Sequence, residues 1–242
     1  MTLDRVDHRD LGRASVVLRL WKSKSAAVSM VFIVILAIVG LLAPVIAPKD
    51  PTEIEIFREV NGETINPPFP PSVENLFGTD QLGRDIFSRV LYAIRTSLVI
   101  GLLVRGGVMI VGVCLGLIAG YLPGVVAKAT MRLTDVMLAF PALIIAMAVT
   151  AILGPSLSTV IIALVLVGWP DVTRLVYGQT LGIRASDYVV AARALGANNF
   201  RIIARHILPN IASPIIVAFS MGIPGAITVS YTHLTLPTIL LV

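Results

Sequence analysis

Apolar residues in this chain gather into long runs, and short charged stretches separate them. Ala26–Ala47 carries no charge. As a helix rising about 1.5 Å per residue it is long enough to cross a hydrocarbon core of about 30 Å. Ser97–Gly120 is a second such run, interrupted by Arg105. Val136–Val167 is uncharged over more than one span's length and holds Gly154-Pro155-Ser156 near its middle. Gly-Pro breaks a helix, so the pattern predicts a third and a fourth span joined by a tight turn, the fourth running from about Leu157 towards Val176. Ile211–Val229 is a fifth run. None shows the period-two alternation of barrel strands, and lipid cannot satisfy free backbone groups, so helices are expected. The fold class is therefore an all-α polytopic membrane protein, a helical bundle with about five spans.

The polar stretches set the orientation. Arg5, Arg9, Arg13, Arg19, Lys22 and Lys24 precede the first span, which places residues 1–25 in the cytoplasm and makes 26–47 the first transmembrane helix. Residues 48–95 hold eight acidic and five basic residues, with prolines at Pro67, Pro68, Pro70 and Pro71. They are expected as an external loop, too long for a simple turn and folded over the outer mouth. Residues 96–229 form the remaining membrane core. Within it, Leu122–Thr134 is expected as a short basic link. Thr173–Pro209 is a polar stretch in which Arg174, Arg184, Arg193, Arg201 and Arg205 face one acid, Asp187.

Composition agrees. Charged residues are 14%, against about 25% in soluble domains, and mean hydropathy is +0.90. The net charge of +5 flanks spans rather than forming a stripe, so no nucleic-acid partner is expected. The lone Cys114 excludes a disulfide framework and a cysteine-based zinc site. The first apolar run lacks a small-residue cleavage site and is read as a retained anchor.

Residues 187–209 read Asp-Tyr-Val-Val-Ala-Ala-Arg-Ala-Leu-Gly-Ala-Asn-Asn-Phe-Arg-Ile-Ile-Ala-Arg-His-Ile-Leu-Pro. Ser186 or Asp187 caps a helix start, and Arg193 suits its C-terminal end. Gly196 sits where a left-handed residue ends a helix. Asn198 caps a second short helix, Asn199–Ile207, which Pro209 terminates. The expected shape is helix, glycine turn, helix, with alanines on one face that allow close approach of a partner.

This stretch resembles the cytoplasmic EAA loop of bacterial ABC importer permeases. That pattern is Glu-Ala-Ala, three residues, Gly, nine residues, then Ile-x-Leu-Pro. Ala191, Ala192, Gly196, Leu208 and Pro209 match it in register, while Val190 replaces the glutamate and His206 the isoleucine. The missing glutamate puts one polar contact with an ATPase in doubt and leaves the shape intact. Phe77–Tyr92, Met131–Pro141 and the run from Trp169 through Arg174 to Gly178-Gln179 are similar, in the same order, to the C-type subunit of dipeptide/oligopeptide permeases, including peptide/nickel systems.

The resemblance implies a transport subunit in the bacterial cytoplasmic membrane, forming half of a translocation pathway. It implies a second homologous permease subunit, two ATP-binding cassette subunits and an extracytoplasmic substrate-binding protein as partners. A coupling loop over 177–209 is implied, with Asp187, Val190, Ala191, Ala192, Arg193, Gly196, Ala197, His206, Leu208 and Pro209 as its site residues. No Gly-x-x-x-x-Gly-Lys-Ser/Thr phosphate loop occurs, so the chain is expected to bind no cofactor and ATP to belong to the partners. The alternatives are a permease for nickel or another small solute, or a self-contained secondary carrier. A carrier wants acids near mid-membrane, where only Arg105 is found.

Arg105 is well inside its span, either in the translocation pathway meeting a peptide carboxylate or facing a partner subunit. Asp80, Arg84 and Asp85 either contact the delivery protein or knit the loop together. Asp135 is expected to pair with a base or cap its helix. His8, His206 and His233 are too scattered for a metal site, and the methionines read as packing. Residues 230–242 do not resemble the family and are expected to be an atypical, non-native end with a sixth helix missing.

Overall fold

A computed structural model describes residues 23–60, 63–154 and 156–229. Arg5 to Lys22, His8, His233 and the whole segment 230–242 lie outside the described residues. The chain divides into two compact units, one up to Leu98 and one from Val99.

The first unit opens with helix α1, Lys24–Ile46. Most of its apolar side chains are exposed, as a lipid-facing helix requires. Gly40 is buried, and a Cβ there would lie 3.2–3.3 Å from Leu98 Cδ1, Arg95 Cα and Ile94 Cγ2. Glycine thus lets α1 approach the first turns of α2, Ile86–Tyr121. The expected loop is not wholly irregular. Strands β1 (Arg58–Val60) and β2 (Glu63–Ile65) pair antiparallel, with Arg58 opposite Ile65. The loop also ends earlier than residue 95. The Asp85 carboxylate accepts the Ser88 backbone N–H at 2.8 Å, an N-cap that starts α2 at Ile86.

In the second unit, the rest of α2 is followed by α3 (Val125–Ala139), α4 (Ala142–Leu153), α5 (Leu157–Arg184), α6 (Asp187–Ala194), α7 (Asn199–Ile202) and α8 (Ala212–Val229). Three expected boundaries are corrected. The link Leu122–Thr134 is helical from Val125. The third span is not straight: α3 and α4 meet at 87°, because Pro141 forces Phe140 into extended backbone, φ −96° and ψ 141°. The fourth helix does not stop near Val176 but runs to Arg184, so the polar stretch begins inside a helix. The Gly154 turn is as expected, with φ 82°, and Ser156 Oγ accepts the Thr159 N–H to cap α5.

A glycine ladder holds α5 against α2. Added Cβ atoms at Gly112 and Gly116 would lie 2.6 Å from Val172 Cβ and Val176 Cβ, and one at Gly120 2.5 Å from Thr180 Cβ. The four-residue spacing puts all three glycines on one helix face, where small residues let backbones meet. The two helices run in the same direction, since the partners advance together along both. Thr173 Oγ1 donates to the Gly112 carbonyl at 3.3 Å.

As expected, the second handle helix ends at Ile207, just before Pro209; residues 208–211 are turn and α8 begins at Ala212. Ile203–Ile207 form a π turn, and Leu208 N–H reaches back to the Ile203 carbonyl at 2.8 Å. The handle helix and α8 follow one another closely enough that Asn199–Val229 counts as one apolar path long enough to span a membrane. Among the described residues four helices are long and apolar enough to span a membrane, or up to five if the bent α3–α4 pair is one span.

Candidate functional site

The handle is built as its sequence dictates. Helix α6 covers Asp187–Ala194, with Asp187 in its first turn and Arg193 in its last. Gly196 has φ +83°, a left-handed conformation glycine adopts without strain. Asn198 Oδ1 accepts the Arg201 N–H at 2.8 Å. Ser186, at the N-cap of α6, makes no side-chain cap; its hydroxyl instead donates to the Ile183 carbonyl at 2.6 Å, closing the preceding helix.

One face of the handle is buried and the other is free. Val189, Ile202, Ile207 and Ile211 are buried in a cluster with Leu117, Tyr121 and Val176. Tyr121 OH donates to Asn199 Oδ1 at 2.9 Å. The Arg193 guanidinium lies 5.3 Å from the Tyr121 ring centroid, within range of a cation–π contact. Arg184 Nη1 donates to the Gly120 and Tyr121 carbonyls at 3.2 and 3.3 Å, satisfying groups that α2 leaves orphaned at its end. Outward, Asp187, Val190, Ala191, Arg193, Gly196, Leu208 and Pro209 are exposed, while Ala192, Ala197 and His206 are half-buried. The largest apolar projections are Leu195, 89% exposed, and Phe200, 80% exposed. Sequence reading passed over both and noted only the alanines. The signal was two large apolar residues flanking the glycine turn.

Deeper in the second unit a cavity of about 380 Å³ opens among α2, α4, α5 and α8, and Arg105 lines it. Arg105 Nε and Nη2 both donate to the Ala218 carbonyl, at 3.2 and 2.5 Å. Gly222 admits the guanidinium: a Cβ there would overlap Arg105 Nε. Asp171 lines the same cavity. It corrects the expectation that Arg105 is the lone charge at depth. The signal was plain, an acid within Leu157–Val176. Asp135 pairs with Arg174 at 2.5 Å, the first of its two expected roles. His206 packs beside the Tyr188 ring at 6.4 Å.

Asp80, Arg84 and Asp85 knit their loop. The Asp80 carboxylate accepts from Leu82 N at 2.9 Å, Arg84 N at 3.0 Å, Arg84 Nε at 2.9 Å and Arg89 Nη1. Burial alone pushes the Asp80 carboxyl up, but the Arg84 and Leu82 N–H groups and the Arg84 charge outweigh it and hold it below its ordinary value. Asp85 is 2% exposed; Oδ2 accepts the Ser88 N–H that caps α2, and Oδ1 is buried with no hydrogen-bond partner among the described residues. Nearby, hydrogen bonds from Arg58 hold the Glu55 carboxyl low against the opposing effect of burial.

Residues 112–236 match the family described as the binding-protein-dependent transport system inner membrane component. Residues 14–68 match the N-terminal transmembrane domain of oligopeptide transport permease C. The chain is 39% identical over 209 residues to a dipeptide transport system permease protein of Alkalihalophilus pseudofirmus, covering 86% of this chain and 66% of that one. It is 35% identical to the namesake in Bacillus subtilis, covering 86% and 63%. A putative peptide transport system permease of Brucella suis is 38% identical over 235 residues, covering 94% and 76%. The chain thus spans a little under two thirds of the length of the first two relatives.

Proposed function

The chain belongs to the family of binding-protein-dependent transport system inner membrane components, and from that premise we propose that it is a permease subunit of an ATP-driven importer of dipeptides or oligopeptides. It forms half of a translocation pathway with a second, homologous permease in the bacterial cytoplasmic membrane. Its N-terminus and handle face the cytoplasm, where two ATPase subunits bind the ATP that this chain does not. An extracytoplasmic protein delivers the solute.

One observation carries this reading: a handle exposed on one face and tied on the other to the ends of two packed membrane helices. Leu195 and Phe200 offer a partner groove apolar anchors. Tyr121 and Arg184 join the handle region to the end of α2. Displacement of the handle therefore acts on the α2–α5 pair as a unit. ATP shifts the permease between inward-open and outward-open states by binding its ATPase more tightly in one of them, and a coupling of about 1–3 kcal/mol is typical of such linkage.

The test is a crosslink. Leu195→Cys in a Cys114→Ala background, co-expressed with its ATPase partners, is expected to crosslink to an ATPase subunit in an ATP-sensitive manner. Absence of any crosslink in the assembled complex sinks the coupling role.

A further inference from the structure

We propose that the cavity among α2, α4, α5 and α8 is a subsite for a zwitterionic solute, in which Arg105 receives a carboxylate and Asp171 an ammonium group. The proposal rests on the importer reading above and adds that the permease itself, apart from any delivery protein, recognises charge at both ends of its cargo.

The cavity, at about 380 Å³, falls within the roughly 300–1,000 Å³ of small-molecule sites. Its walls are largely apolar side chains such as Val108, Ala146 and Leu164, with the backbone opened by Gly225. A Cβ at Gly225 would meet nothing within 4 Å, so this glycine widens the space and is not demanded by packing. Two ionisable groups line this otherwise apolar chamber in a membrane-spanning bundle. Charges at such depth are costly and mark solute or ion pathways.

Arg105 is held but not used up. The Ala218 carbonyl takes Nε and one Nη2 donor. A guanidinium carries five N–H donors, so Nη1 and the second Nη2 proton have no partner among the described residues. The Ala218 contact fixes the planar fork, which suits a carboxylate received through paired donors. Asp171 makes no hydrogen bond or ion pair among the described residues, and it does not reach Arg105 within ion-pair distance.

The charge arrangement selects the ligand. An anion site needs Arg105 without a nearby acid, and a cation site needs Asp171 without a nearby base. Opposite charges on one chamber, attracted to each other but not in ion-pair contact, complement a molecule that carries both charges and has no net charge. A short peptide with free termini has that form. The cost of holding two charges in the membrane is offset only when both are met, so capping either terminus leaves one of them unpaired.

The test uses the assembled transporter in nanodiscs without its delivery protein, so that binding reports the permease alone. Equilibrium binding of alanyl-alanine is compared with that of its N-acetylated and C-amidated forms. The wild-type complex is expected to bind the free dipeptide at least about tenfold more tightly than either capped form. Asp171→Asn should abolish discrimination against the N-acetylated form while preserving it against the amide. Arg105→Gln should do the reverse. Because Asp171 makes no hydrogen bond or ion pair among the described residues, its variant keeps the test valid should Arg105→Gln disturb α8. Unchanged discrimination in Asp171→Asn overturns the proposal, as does failure of the wild-type complex to bind the dipeptide at all. Delivery-protein-dependent uptake of the same dipeptide into proteoliposomes separates the two readings. Uptake without binding in the cavity leaves the importer standing and removes the subsite; no peptide uptake removes both.

Discussion

Tyr121, the last residue of α2, donates its phenolic hydrogen to Asn199 Oδ1 at 2.9 Å, and Asn199 is the first residue of the second handle helix. The bond joins residues 78 positions apart and ties the handle to a membrane helix of which the handle is not a part. Tyr121 is 3% exposed, so its hydroxyl has little water to fall back on. Tyr121→Phe keeps the ring beneath Arg193 and removes only this bond. The variant is expected to lose about 1 kcal/mol of stability, with uptake reduced several-fold and ATP hydrolysis retained. Parallel assays of uptake and hydrolysis check this, and equal loss of both argues against a coupling role for the bond.

The glycine ladder makes a sharper structural prediction. At Gly116 a Cβ would sit 2.6 Å from Val176 Cβ and 2.8 Å from the Thr173 carbonyl, whereas at Gly106 it would meet nothing within 4 Å. Gly116→Ala must push α5 away from α2 along a face with no slack, at a cost of about 1–3 kcal/mol. Gly106→Ala should be silent or slightly stabilising. Thermal unfolding in detergent distinguishes them: a lowered midpoint for the first variant and none for the second. Equal midpoints contradict the packing described.

Much of this was legible in the sequence because local chemistry decided it. Gly196 takes a left-handed φ and Asn198 caps its helix, since both effects act over a few residues. The end of the second handle helix before Pro209 was equally legible, since proline cannot continue the ladder; the π turn that closes it was not, because no propensity rule encodes that wider hydrogen bonding. The extension of α5 to Arg184 depends on its packing along Gly112, Gly116 and Gly120, a tertiary gain invisible in the polarity of Thr173–Arg184. Asp171 was visible as an acid in a span. Its relation to Arg105 was not, since it depends on which faces of α2 and α5 turn to the same cavity.

The 50–89 segment should respond to acid. Asp80 and Glu55 are both held below their ordinary values in the folded protein. Unfolded carboxylates titrate near 4, so their contribution to stability is complete above that pH and is lost as pH falls through the lowered folded values. Hydrogen exchange in this segment is expected to be slow between about pH 5 and 8, after correction for intrinsic rates, and to accelerate relative to α5 below about pH 4. Asp80→Asn should reduce that acid step. Uniform acceleration across the protein would assign it to general acid unfolding instead.

Gly196 gives the most direct test of the handle. Its φ is +83°, its N–H donates to the Arg193 carbonyl at 3.0 Å, and an added Cβ would touch nothing within 4 Å. Alanine therefore costs only the backbone strain, about 1–2 kcal/mol, and should lower uptake modestly. Proline cannot reach positive φ and lacks the N–H, so Gly196→Pro must rebuild the turn and re-aim α6 relative to α7. Membrane insertion should survive, because the turn lies outside the apolar spans, while transport should be abolished. The graded pair separates geometry from side-chain bulk: wild-type uptake in the proline variant would show that the turn does not transmit the ATPase's motion.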